Sequence, residues 1–207
     1  MAYKVVAADD YLMPRQVIAG AIAMSDRYEL AASLASAEEA AEYCLRHPVD
    51  LLIMDVVMAR GISGLEAAER VRKSNTGIRI ILMTSMPEVS YIEKARKIGV
   101  DSFWYKEVQE IPILELMDRT MNGEHVYPED TPAVELGNAS SKELTRKELE
   151  ILRELTGGAT NQEIAEKFGI KTETVKMHIS NMLQKTGFRN RLELAVKARV
   201  DGLVIKD

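Results

Sequence analysis

The 207-residue chain is long for one domain and sufficient for two, and its 46% hydrophobic content allows a packed core in each. A single cysteine, Cys44, excludes an internal disulfide, and His47, His125 and His178 lack zinc-ligand spacing, so no structural metal is expected. The net charge of -5 hides an asymmetry: residues 1–140 carry 14 basic against 22 acidic side chains, whereas residues 141–207 carry 13 against 10. An acidic first part and a basic second part point to a division of labour. Asp9-Asp10 interrupts the N-terminal apolar run before a signal segment is complete, and no run is long enough to span a bilayer. A cytoplasmic protein with no membrane association is expected.

From residue 1 to 122, apolar strands alternate with amphipathic helices. Strands are read at Lys4–Ala8, Glu29–Ala32, Leu51–Met54, Arg79–Met83 and Ser102–Tyr105. Helical patterns run over Met13–Met24, Ala37–Arg46, Leu65–Lys73, Val89–Ile98 and Ile111–Asn122, with Gly77, Gly99 and Gly123 following helices. Such alternation implies an α/β fold with a five-stranded parallel sheet covered on both faces, and in a doubly wound sheet of order 2-1-3-4-5 the first and third strands are neighbours. The run Leu51-Leu52-Ile53-Met54 reads as a strand buried on both faces, with Asp55 where it leaves the core.

Periodicity stops after Gly123. Pro128, Pro132, Gly137 and Asn138 lie among polar residues, so 1–123 is read as one domain, 124–140 as a linker and 141–207 as a second domain. Four short helices follow. Thr145-Arg146-Lys147-Glu148 and Thr160-Asn161-Gln162-Glu163 carry the hydroxyl and the glutamate of a reciprocal capping arrangement. The helices on either side of Gly169 have helix-turn-helix spacing, with Ile164, Ala165, Phe168, Ile170, Val175 and Ile179 as a small core. Projection of Glu173–Lys185 puts Val175, Ile179, Met182 and Leu183 on one face and Lys176, Met177, Ser180 and Gln184 opposite. Lys171, Lys176, Lys185, Arg189 and Arg191 form a positive stripe suited to phosphates.

In the first domain, Asp9-Asp10, Asp55, Thr84-Ser85 and Lys106 fall at the carboxyl ends of different strands, where open α/β sheets hold ligands. Singly, each has a bland reading: a helix cap, a strand-end hydroxyl, a solvated lysine. Together they make a site. Three carboxylates repel one another unless a hard cation neutralises them, and oxygen-only ligation suits Mg²⁺. A carboxylate such as Asp55 then serves as a nucleophile toward phosphorus, with Lys106 and the Thr84 hydroxyl engaging phosphoryl oxygens.

The segments Val5-Val6-Ala7-Ala8-Asp9-Asp10, Leu52-Ile53-Met54-Asp55-Val56-Val57-Met58, Leu82-Met83-Thr84-Ser85 and Gly99-Val100-Asp101-Ser102-Phe103-Trp104-Tyr105-Lys106 resemble the receiver domain of bacterial two-component response regulators. That resemblance implies a CheY-like fold phosphorylated on Asp55 by a sensor histidine kinase. It further implies Mg²⁺ held by Asp10, Asp55 and the Val57 carbonyl with Asp9 assisting, and Phe103 as the aromatic whose rotamer follows Thr84. One departure is the loop Met58-Ala59-Arg60-Gly61-Ile62-Ser63-Gly64, one residue longer than the usual pattern, where Arg60 bears on phosphate access or lifetime.

In the second domain, Leu144–Leu152, Gly158–Ala165 and Thr174–His178 resemble the LuxR-type helix-turn-helix, and the two halves together resemble the NarL/FixJ class. The resemblance implies promoter contacts from Lys171, Thr172, Thr174, Lys176, Met177, Ser180, Asn181 and Lys185. Of these, Lys176, Met177 and Ser180 would approach base edges, and Thr172, Thr174 and Lys185 phosphates. Thr172 takes over capping where Lys171 replaces a serine, and the final helix pairs two subunits. The expected partners are a histidine kinase, double-stranded DNA, a second copy of the chain and RNA polymerase. No enzymatic turnover is expected beyond the receiver's own phosphorylation and dephosphorylation. Two other readings remain open: an aspartate-nucleophile phosphatase, against which Val57 stands where a second acid is needed, and a transcription factor controlled by protein partners without phosphorylation.

Overall fold

A computed structural model describes residues 2–74, 77–106 and 111–204, so the last three positions of the second domain lie outside the described residues. Two compact units form, one from residues up to Ser85 together with Tyr91–Asp130, the other from Met86–Ser90 and residues from Thr131 onward.

In the first unit, β1 (Tyr3–Ala8), β2 (Tyr28–Leu34), β3 (Leu51–Asp55), β4 (Arg79–Thr84) and β5 (Ser102–Tyr105) make one parallel sheet in the order β2-β1-β3-β4-β5. The connecting helices are α1 (Leu12–Ala23), α2 (Ala37–Arg46), α3 (Gly64–Ser74), α4 (Tyr91–Ile98) and α5 (Ile113–Met121). All five residues of β3 are buried, the outcome that an unbroken apolar run demands when helices cover both faces. Val5, Ala7, Leu51, Ile53, Ile81 and Met83 meet Ile18, Ile22, Leu116 and Met117 of α1 and α5 in one cluster. The alternate residues Val6, Ala8, Leu52, Met54, Ile80 and Leu82 are equally buried, and α2 packs on α3, and α3 on α4. Each such buried Leu or Ile contributes about 1.5–3 kcal/mol relative to exposure. At the head of β5 the buried Asp101 carboxylate binds Arg72 at 2.6 Å, Arg79 at 2.7 Å and the Ile80 amide at 2.8 Å, so its buried negative charge is matched.

Two helix starts differ from the periodicity by two residues, and those of α1 and α3 by one. α4 begins at Tyr91 and not at Val89, because the Val89 side chain packs on the second unit's core. α5 begins at Ile113 because Pro112 occupies the N-cap with φ -61 and ψ 148. A proline disfavours helical geometry in the residue before it, so Ile111 falls outside.

The expected linker, residues 124–140, is instead divided between the units. Val126 accepts the Phe103 amide at 2.9 Å, the Tyr127 hydroxyl donates to the Val100 carbonyl at 2.8 Å, and the Tyr127 ring stacks on Phe103. Further on, β6 (Glu135–Leu136) and β7 (Ala139–Ser140) pair as an antiparallel hairpin whose Leu136 is fully buried in the second unit. Loss of periodicity marked these residues as connecting chain. A few well-placed apolar contacts nevertheless anchor them, and periodicity cannot register so short a pattern.

The second unit is α6 (Arg146–Thr156), α7 (Asn161–Phe168), α8 (Thr172–Thr186) and α9 (Arg191–Val200). Both expected capping boxes are present: Thr145 with Glu148 and Thr160 with Glu163 exchange side-chain and backbone bonds. Each cap stabilises its helix by about 1 kcal/mol. Gly169, at φ 63, ends α7 and supplies the tight turn into α8. The core joins Ile151, Leu152, Ile164, Val175, Ile179, Met182, Leu194 and Ala198. Within this unit the fully buried Glu88 carboxylate meets Arg153 at 2.6 Å and accepts the Ser90 hydroxyl at 2.8 Å.

Candidate functional site

Strand register brings the chemistry of the first unit together. Ala8 pairs with Met54, Asp55 with Met83, and Thr84 with Tyr105, so Asp9, Asp55, Thr84 and Lys106 follow one another across adjacent strand ends. One carboxylate oxygen from each of Asp9, Asp10 and Asp55 lies within 4.8 Å of the others. The Lys106 ammonium stands 2.6 Å from Asp9 and 3.0 Å from Asp55. Thr84 is fully buried beside it, and its carbonyl accepts the Lys106 amide at 2.9 Å. Phe103 is buried edge-on to Tyr105, with ring centroids 5.4 Å apart.

Burial pushes the Asp55 carboxyl up to about 6; Lys106 draws it down, Asp9 raises it, and the Val57 amide draws it down again. Lys106 is pulled down by burial, but Asp55 and Asp9 outweigh this and hold it above the ordinary lysine range, so it remains a cation. One lysine among three carboxylates leaves excess negative charge. Oδ1 of Asp10 and Oδ1 of Asp55 are buried without a hydrogen-bond partner, and an all-oxygen donor set of this charge is of the kind that binds Mg²⁺. Two of the other oxygens have backbone partners: Tyr11 donates its amide to Asp9 Oδ1 at 2.9 Å and Ala59 donates to Asp10 Oδ2 at 3.0 Å. Arg15 reaches back from α1 to the Asp9 carbonyl. Sequence reading missed Ala59 and Arg15, because a backbone amide and a carbonyl partner leave no residue-type signature. It also missed Glu38 of α2, which accepts the Ile62 amide at 2.6 Å. Glu38 and Ile62 lie 24 residues apart, and no motif links them.

In the second unit α8 shows the expected two faces. Val175, Ile179 and Met182 are buried, while Lys171, Lys176, Met177, Ser180 and Asn181 are exposed and Thr172 and Thr174 half-buried. One expectation needs correction. Thr172 does not cap the helix: the N-cap is Lys171, and no side chain bonds the first-turn amides. Lys185 is half-buried and partnered within the unit. Its ammonium binds Glu148 at 2.8 Å and the Glu143 carbonyl at 2.9 Å. Burial raises Glu148, but Lys185 and the Thr145 bonds more than reverse this and hold its carboxyl below the ordinary range. The positive stripe shrinks further, since Arg191 binds Asn161 and the Ala159 carbonyl, whereas Arg189 stays exposed in a surface pair with Glu193 at 3.2 Å. Counting charges along a sequence overstates a binding face, because the fold uses some of them internally.

A doubly wound sheet with an acidic cluster and a lysine at its strand ends, joined to a helix-turn-helix domain, defines a receiver protein with a DNA-binding output. The family described as response regulator receiver domain matches residues 5–118, and that of bacterial regulatory proteins, luxR family, matches residues 142–198. The chain belongs to the two-component response regulators with a LuxR-type DNA-binding domain. The response regulator protein VraR of Staphylococcus epidermidis is 31% identical over 210 residues, spanning 99% of this chain and all of the relative, and VraR of Staphylococcus aureus is likewise 31% identical. Among solved structures, an RcsB–DNA complex has a TM-score of 0.65 at 16% identity, covering 96% of this chain and 98% of that one. RcsB from Salmonella enterica serovar Typhimurium, bound to promoter P1flhDC in the presence of phosphomimetic BeF3-, has the same TM-score and identity. At such identity the likeness concerns the fold. Among the described residues no helix is long and apolar enough to cross a membrane.

Proposed function

We propose that this response regulator is switched by phosphorylation of Asp55 and then binds promoter DNA as a dimer. The observation that carries the proposal is the convergence of Asp9, Asp10, Lys106 and Thr84 around Asp55 at adjacent strand ends, with Asp9, Asp55 and Thr84 buried. An Asp55 carboxylate oxygen forms the new bond to phosphorus while the P–N bond of a kinase phosphohistidine breaks, and the leaving imidazole takes up a proton. Lys106 sits where it would neutralise a phosphoryl oxygen, and Thr84 lies at the adjacent strand end, ready to donate its hydroxyl. Asp9, Asp10, Asp55 and the Val57 carbonyl would hold Mg²⁺, which when bound supplies charge neutralisation at the phosphoryl oxygens. Phe103 would report the change at Thr84 to the β5 side of the domain.

For the output, the exposed face of α8 suits the major groove, with Lys176, Met177, Ser180 and Asn181 toward base edges. Lys171, Thr172 and Thr174 at the start of α8, where the N-cap side chain makes no bond, suit phosphate, since a helix N-terminus attracts anions. We read Lys185 as a pin between helices and leave it out of this set. On α9, Leu192, Val196 and Val200 are exposed at a spacing of four residues, an apolar stripe suited to a second copy.

Incubation with Mg²⁺ and acetyl phosphate should add one phosphate to the native mass, and Asp55→Ala should abolish the addition. Promoter affinity should rise with phosphorylation in the wild type alone. An unchanged wild-type mass would sink the phosphoacceptor assignment. Equal promoter affinity for treated wild type and Asp55→Ala would point instead to control by protein partners.

A further inference from the structure

The loop from Ala59 to Gly64 lies against the acidic cluster and is held at four points. Ala59 donates its amide to Asp10 Oδ2 at 3.0 Å, Ile62 donates to Glu38 Oε1 at 2.6 Å, Ser63 and Glu66 cap α3 reciprocally at 3.2 Å, and Gly64 donates to the Val56 carbonyl at 2.9 Å. Three of these are made within the chain segment leading into α3 or by a cluster carboxylate itself. The fourth comes from outside: Glu38 is in the first turn of α2, and its partly buried side chain crosses to the loop. Its carboxylate lies so close to Gly61 that a Cβ there would overlap it, and Gly61 is at φ +78, a region that also favours glycine. Glu38 therefore touches two consecutive loop residues, and the loop backbone is shaped to admit it.

We infer that Glu38 is a positioning residue for the Asp55 site, tethering the 59–64 loop so that the Ala59 amide fixes the Asp10 carboxylate for the cation. The bond to Oδ2 sets the plane of the Asp10 carboxylate, and its other oxygen, Oδ1, is the buried atom without a partner. Outer partners that orient a metal-binding carboxylate typically govern 10- to 100-fold in metal affinity. Without Glu38 the Ile62 amide loses its acceptor, the loop gains freedom, and Asp10 loses the donor that orients it. The inference rests on the proposed cation site but needs no phosphoryl transfer to be tested.

The alternative is that Glu38 is an ordinary first-turn acid favoured by the helix dipole. Glu39 is its control, since it occupies the same turn, carries the same charge, and is exposed away from the loop. The experiment uses the full chain, with Mg²⁺ alone as probe, titrated by calorimetry, alongside amide hydrogen exchange at Ala59 and Ile62. For Glu38→Ala, the Mg²⁺ Kd should rise about 10-fold and exchange should accelerate at both amides. Glu38→Gln, which keeps an acceptor oxygen, should stay much closer to wild type, and Glu39→Ala should match it. Unchanged Ala59 exchange and Mg²⁺ affinity in Glu38→Ala would overturn the tether, as would the same losses in Glu39→Ala. Failure of the wild type to take up phosphate would count against the phosphoacceptor reading alone, because neither measurement involves a phosphodonor.

Discussion

Lys185 and Lys176 lie on one helix and carry the same charge, yet their substitution should give opposite results. Lys185 satisfies Glu148, whose side chain is 3% exposed and also caps α6. Lys185→Met leaves that carboxylate buried without its cation and should destabilise the second unit by roughly 3 kcal/mol, read as a lowered urea midpoint, with the salt dependence of DNA binding retained. Lys176 is exposed. Lys176→Met should leave stability within about 0.5 kcal/mol and weaken promoter binding, by about 1–3 kcal/mol with relaxed base preference if it reads a base edge. If it contacts phosphate, the loss should instead be uniform across sequences, with the log–log salt slope smaller by about one. A Lys185→Met protein of wild-type stability would return that residue to the DNA-contacting set. Neither outcome was accessible from residue type, because the partner that separates the two lysines, Glu148, is 37 residues away from Lys185.

At the scale of elements, the junction between β3 and α3 couples fold and site most tightly. Gly64 opens α3, is buried, and donates its amide to Val56; a Cβ on it would overlap the Asp55 carbonyl oxygen. Gly64→Ala must therefore displace the backbone that carries the phosphoacceptor. It should lower both thermal stability and the rate of phosphate uptake, whereas Gly99→Ala, which meets open space but sits at φ +83, should lower stability alone. Equal uptake by both variants would show that the backbone of Asp55 tolerates the shift. The strands and helices themselves were legible because their apolar spacing is strong: α2 and β5 begin and end at the residues that periodicity indicates. The segments 124–130 and 135–140 were not legible, since single docking residues such as Tyr127 and Leu136 carry no period. α5 was read two residues early because periodicity ignores the conformational restriction that Pro112 places on its neighbour.

For the whole molecule, the proposed dimer makes the apolar stripe of α9 the test. Val196→Glu puts a charge at the middle of that stripe without touching the buried Leu194, Ala195 or Ala198. It should leave the urea midpoint within about 0.5 kcal/mol of wild type. The phosphorylated protein should then sediment as a monomer, and promoter affinity should fall at least 10-fold. A variant that still dimerises on phosphorylation would move the interface off α9.

The sequence by itself determined the alternation of five strands with helices, the two-part organisation and both capping boxes, and it set the five groups now proposed for the Asp55 site at strand ends, because strand ends and helix caps are encoded locally in residue type and spacing. Only the tertiary structure decided which charges remain for a partner. Lys185 and Arg191 are used within the fold, while Glu38 and the Ala59 amide join the surroundings of the acidic cluster. The physical reason is that a hydrogen bond or ion pair depends on distance in space, which residues far apart in sequence acquire only once the core has packed.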